Sequence, residues 1–138
     1  MAEIHRLRDK TGDSEKVTIN VGYVDLGHID LLVREGFYSN RTDFIRTAIR
    51  NQLANHSDAI KQSIVRYTLE LGLRHFSREE LEATRAAGRK LRIQVVGLAV
   101  IAEDVTPELA RETIESITVL GALQASPSVK AALSERIG

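Results

Sequence analysis

Lys16-Val17-Thr18-Ile19-Asn20-Val21-Gly22 reads as one β-strand, and two short amphipathic helices follow it before Leu53. Val17, Ile19 and Val21 alternate with Lys16, Thr18 and Asn20, which is the period of a half-buried strand ended by Gly22. No second strand pattern lies near enough to form a hairpin with it. A lone strand leaves a row of backbone donors and acceptors unpaired. The simplest remedy is the same strand from a second copy, and a two-stranded ribbon of that kind fits the major groove of DNA. The plainer alternative is an edge strand with a solvated polar face, paired to the strand that begins at Leu91.

Outward from that segment, Asp25 is an acceptable N-cap, and Leu26, Ile29, Leu32 and Val33 recur at helical spacing until Gly36 supplies a stop. Asn40 caps a second helix with Asp43 at its third position, and Phe44, Ile45, Ala48, Ile49 and Leu53 form the apolar stripe. Asn55-His56-Ser57-Asp58 breaks the pattern. A third helix is expected to carry Ile60, Ile64, Tyr67 and Leu71 on one side and to end near Gly72. Ser77-Arg78-Glu79-Glu80 is a capping box for a short fourth helix that stops at Gly88.

The C-terminal third is different. Leu91–Ile101 and Ser116–Gln124 are both rich in β-formers, and they superimpose: Ile93, Val95 and Gly97 match Ile117, Val119 and Gly121, each 24 residues on. After each comes one of the only two prolines, in Thr106-Pro107 and Ser126-Pro127, a cap followed by proline at the first helical position. The spacing predicts a β-α-β-α module with parallel strands. Two such units are too few to stand as a solenoid, so the module is expected to pack on the rest of the chain or on a partner copy.

Composition removes several classes of function. Hydrophobic residues make up 43% and charged ones 28%, which is ordinary for a folded, water-soluble chain. With no cysteine, disulfides, zinc–thiolate sites and thiol catalysis are excluded. The start of the chain lacks the apolar core of a signal peptide, and Val95–Ala102, the longest apolar run, is too short to span a bilayer. A cytoplasmic, nucleoid-associated location without membrane contact is expected. His5, His28, His56 and His75 are scattered without an i, i+4 pair, so no metal and no cofactor is expected. No Gly-x-Ser-x-Gly, phosphate-binding loop or dinucleotide fingerprint occurs, which argues against an enzyme. Net charge is zero, so DNA would be held by placed contacts rather than by bulk attraction.

Candidate contacts follow from the pattern. On a ribbon whose apolar face is buried, Lys16, Thr18 and Asn20 project outward, and their side chains can address guanine, thymine and adenine edges. Asn40, Arg41 and Thr42 put free amides, a hydroxyl and a guanidinium at a positive helix terminus, a natural seat for phosphate or simply an ordinary cap. Arg6, Arg8 and Lys10 form a basic arm that either follows DNA or is an ordinary terminal tail. Arg85, Arg89, Lys90 and Arg92 are a second basic cluster, read first as a solvated face.

Val-Thr-Ile-Asn-Val at 17–21 and Glu-Gly-Phe-Tyr-Ser-Asn-Arg-Thr-Asp-Phe-Ile-Arg-Thr-Ala-Ile-Arg at 35–50, in that order, resemble the ribbon-helix-helix, CopG-like family of bacterial DNA-binding regulators. The family often has Ser-Arg-Ser-Glu where this chain has Asn40-Arg41-Thr42-Asp43, a mild change, and a different lead-in to the first helix at Tyr23-Val24-Asp25. The resemblance implies an intertwined homodimer whose antiparallel ribbon reads a double-stranded operator through Lys16, Thr18 and Asn20. It also implies phosphate contacts at Asn40, Arg41 and Thr42. A nickel-responsive member would carry a His-rich ligand set in its C-terminal domain, which this chain lacks.

The expected fold is therefore α+β. An arm at 1–15 precedes a ribbon-helix-helix domain at 16–54, a helical connector at 55–90, and the β-α-β-α module at 91–138. The module is expected to serve assembly, to a tetramer or beyond, or partner binding. The expected function is transcriptional repression; the rivals are a toxin-neutralising antitoxin and a DNA-organising assembly protein.

Overall fold

The computed structural model describes residues 14–138. Among them the order is α1 (Tyr23–Arg34), α2 (Arg41–Asn55), α3 (Ser57–Arg66), β1 (Glu70–Phe76), α4 (Arg78–Ala86), β2 (Leu91–Ile101), α5 (Pro107–Thr113), β3 (Ile114–Gln124) and α6 (Pro127–Ala132). The chain divides into two units, one ending at Gln62 and the other spanning Ser63–Gly138.

In the second unit the repeat becomes hydrogen bonding. β2 and β3 are parallel, with Ile93 beside Ile117, Val95 beside Val119 and Gly97 beside Gly121, the register that the 24-residue match predicts. The two Pro-led helices start as expected: Thr106 and Ser126 accept the amides of Leu109 and Val129 at 3.1 and 3.3 Å. The module holds one unit more than expected. Glu70–Phe76, expected to be the end of a helix and then connector, is a third parallel strand on the other side of β2, with Gly72 beside Gly97. α3 therefore stops at Arg66, and the sheet reaches back into the segment expected to be a helical connector. The stop is a Schellman-type turn in which Leu69 N–H donates to Ile64 O at 2.9 Å and Thr68 sits at φ 54°.

Alternate residues of β2 point into one apolar core. Ile93, Val95, Ala99 and Ile101 meet Leu81 of α4, Leu109 of α5, and Val129 and Leu133 at and beyond α6, all at most 3% exposed. Full burial of such a side chain is worth about 1.5–3 kcal/mol, so this unit has an apolar core of its own. The opposite sheet face is also apolar but is left uncovered by the described residues, with Leu71, Leu73 and Leu120 more than half exposed. Salt bridges on the surface of this unit draw on the second basic cluster: Arg85 pairs with Glu112 and Arg92 with Glu115, each at 3.1 Å.

The first unit is helical among its described residues. α1 begins at Tyr23 with Gly22 as N-cap, so Asp25 lies in the first turn rather than at the cap, where its charge still favours the helix start. Gly36 closes α1 as expected, at φ 86°, with Phe37 N–H donating to Leu32 O at 3.0 Å. No helix among the described residues is long and apolar enough to cross a membrane.

Candidate nucleic-acid interface

Residues 14–22 form no strand within the single chain. The physical reason is that a ladder needs two strands, and no described segment pairs with this one. The strand that begins at Leu91 is unavailable, because β1 and β3 flank it on both sides. The alternative of an edge strand paired there is thereby removed. Val17, Ile19 and Val21 are left 77, 66 and 38% exposed, an unusual placement for three alternating β-branched residues. Lys16, Thr18 and Asn20 are exposed as well. Across the rest of the first unit, Ile29 is the one hydrophobic side chain that counts as buried among the described residues, while Leu31, Phe37, Ile49 and Leu53 stay more than half exposed.

The start of α2 is built closely. Asn40 Oδ1 accepts the Asp43 amide at 2.8 Å, and Asp43 Oδ2 reaches back to accept the Ser39 amide at 2.9 Å, a reciprocal cap one residue wider than the usual box. Tyr38 packs edge-on against Phe44, ring centroids 5.0 Å apart, and fixes the angle at which the chain enters the helix. Phe44 N–H makes the first intrahelical bond, to Asn40 O, so the amides of Arg41 and Thr42 precede the ladder and point out of the helix end.

The Arg41 side chain is not waiting in solvent. Its guanidinium grips Asp30 of α1 in a two-pronged pair, Nε to Oδ1 at 2.7 Å and Nη2 to Oδ2 at 2.8 Å. Those hydrogen bonds first, and the positive charge second, hold the Asp30 carboxyl below its ordinary range. The pair is intact above the usual carboxylate pKa and is lost as pH falls through the lowered value. Both groups are about half exposed, so the pair is worth little to stability; it holds the Arg41 side chain against α1. Asp30 was invisible to sequence reading, because it stands on a different helix, eleven residues before its partner, where no spacing rule applies.

The structure thus brings Asn40, Arg41 and Thr42 together at one helix terminus and leaves Lys16, Thr18 and Asn20 on an unpaired exposed segment. Arg6, Arg8 and Lys10 lie outside the described residues. Among the described residues no three His, Asp or Glu side chains cluster as a metal site would need.

The chain matches the model of the Ribbon-Helix-Helix transcriptional regulator family over residues 12–130, and it belongs to that family. The class of function this assigns is DNA-binding transcriptional regulation, a class that is typically not enzymatic. No curated protein and no solved structure matches it. The match extends far beyond Leu53 and takes in β1, β2 and β3, so the repeat module belongs to the family pattern as much as the first unit does.

Proposed function

We propose that the chain acts as a homodimer in which residues 16–21 of two copies pair antiparallel, and that it represses transcription by covering its operator. The observation that carries this reading is the bare alternation at 17–21: three β-branched side chains that nothing among the described residues covers, interleaved with Lys16, Thr18 and Asn20. Pairing satisfies the backbone, turns Val17, Ile19 and Val21 into a shared core, and aims the three polar side chains at base edges. The two α2 termini then sit over the flanking phosphates. A pseudo-palindromic site follows from the two-fold axis. The buried apolar core of the second unit favours a regulator over an antitoxin, whose neutralising tail would fold on its toxin.

The test is the base preference of Asn20→Ala. Selection of bound fragments from random DNA identifies the site; on it the variant should lose about 1–3 kcal/mol while its affinity for unrelated DNA stays the same. Equal weakening on all sequences would remove Asn20 from base reading.

Arg41 calls for a paired experiment. Arg41→Ala is expected to weaken binding to all sequences and to lower the salt slope by about one. Asp30→Asn releases the guanidinium and should act in the opposite direction, strengthening non-specific binding at low salt. If both variants bind as the parent does, Arg41 only ties α1 to α2 and phosphate contact belongs to the Thr42 hydroxyl and the helix amides.

A further inference from the structure

The two outer edges of the C-terminal sheet differ. The edge of β3 is taken up at its start by the end of its own chain: Ile117 N–H donates to Arg136 O and Ile117 O accepts from Gly138 N–H, both at 2.9 Å, and Ile137 forms a parallel bridge with Ile117. Arg136 reinforces this stopper by donating to the carbonyls of Ile114 and Arg111. Among the described residues the edge of β1 has no such cover. Outside its ladder with β2, its backbone has two partners among the described residues: Phe76 O takes the Ala102 amide, and His75 O takes the Arg74 guanidinium. It carries no proline and no lysine, the usual guards of an exposed edge. Leu71 and Leu73, in its middle, are 71 and 68% exposed.

The glycine row points the same way. A Cβ placed on Gly97 would run into the carbonyl of Gly72, and one placed on Gly121 into the carbonyl of Gly97. Each therefore receives the backbone of the strand before it. Gly72 shares their left-handed backbone, at φ 116°, yet a Cβ there would meet nothing within 4 Å. Its outer side has room for another backbone.

We infer that β1 joins antiparallel to β1 of a second copy, so that one sheet runs through both molecules. Full overlap of Glu70–Phe76 with itself sets the two-fold axis at Leu73, which then faces the partner's Leu73, while Leu71 faces the partner's His75. The occupant is a second copy for two reasons. A strand that is bare on one sheet edge and stoppered on the other suits a closed, two-fold joint, because head-to-tail joining would consume both edges. And β1 follows α3 after only Tyr67–Leu69, so a dimer made through residues 16–21 keeps a second β1 at an effective concentration on the order of millimolar. That second reason rests on the function proposed above; the first does not.

The chain contains no cysteine, so single introduced thiols report without ambiguity. In full-length protein, Leu73→Cys under mild oxidation should give a disulfide-linked dimer as the main product, since facing residues of antiparallel strands fall within disulfide reach. Leu120→Cys, on the same open face but on β3, should give at least about tenfold less. A mixture of Leu71→Cys and His75→Cys proteins should cross-link with each other, which guards against misfolding of the first variant. Monomeric Leu73→Cys with native circular dichroism would overturn the joint. So would efficient cross-linking of Leu120→Cys, which signals face-to-face packing, or a ladder of larger species from Leu73→Cys combined with Ala122→Cys, which signals head-to-tail stacking. DNA binding measured on the same samples separates the two readings. Cross-linking that persists without DNA binding supports the β1 joint and faults the ribbon; DNA binding without cross-linking does the reverse.

Discussion

Replacing Gly97 with alanine is expected to destabilise the second unit by about 2–4 kcal/mol. Gly97 sits mid-strand at φ 135°, where an L side chain adds strain of about 1–3 kcal/mol. It also has no free space: the new Cβ would overlap the Gly72 carbonyl oxygen and lie 3.0 Å from its carbon, and a backbone cannot swing aside as a flexible side chain can. Either β1 moves off β2 or their ladder distorts, and each weakened hydrogen bond costs a further ~0.5–1.5 kcal/mol. For a unit of this size the thermal midpoint should fall by roughly 10–25 °C. Gly72→Ala is the control. Its φ is also left-handed, but no described atom of its own chain lies within 4 Å of the new Cβ, so within the second unit itself only the strain remains and about 1–2 kcal/mol is expected. Equal losses in the two variants, read by thermal unfolding, would show that φ alone selects glycine here and that the close approach of the strands is irrelevant.

This row of glycines also shows what could be read without coordinates. Gly97 and Gly121 were visible as partners because the residues around them are alike, Val95-Val96-Gly97 against Val119-Leu120-Gly121, and because a capped proline follows each strand. Gly72 has the same place in the sheet, but its strand, Glu-Leu-Gly-Leu-Arg-His-Phe, carries charges at Glu70 and Arg74 and leads to Ser77-Arg78 with no proline. The charges fit because they are paired, Arg74 with Glu70 at 3.5 Å. Arg74 stacks on Phe76, 4.4 Å from the ring centroid, and pairs with Glu80 at 2.5 Å. Its Leu71 also completed a helical stripe with Ile60, Ile64 and Tyr67, and no glycine stood where that helix ends. The stop is Thr68 at φ 54°, and a β-branched residue is among the last expected in left-handed backbone.

In the first unit the caps were legible because capping is local. Asn40 with Asp43, and Gly36 after α1, do in the fold what their spacing predicts. The Asp30–Arg41 pair was not legible, since it depends on how α1 and α2 cross. The strand at 16–21 is legible as a pattern and absent as an element because no segment among the described residues pairs with it.

The same deficit sets the second large effect. A helix pair with Ile29 as its buried hydrophobic among the described residues holds too little apolar area to offset the entropy of ordering it. Folding of the first unit is therefore expected to be coupled to association, and its unfolding midpoint should rise with protein concentration, as the second unit's own core does not require. Ile19→Lys tests this at its most sensitive point. In the proposed ribbon Ile19 is the central inward residue, so each copy would bury an ammonium without a partner, at several kcal/mol apiece. Operator affinity should fall more than about a thousandfold, and the helical signal of α1 and α2 should be lost at concentrations where the parent is folded. Mass alone is a poor readout, because a joint through β1 could hold two copies together without folding their helix pairs. Thr18→Lys, on the opposite face, should keep the helices and alter only DNA binding. If instead Ile19→Lys folds like the parent and Thr18→Lys does not, the strand is turned over, Val17, Ile19 and Val21 face outward, and no base-reading ribbon can be made from this segment.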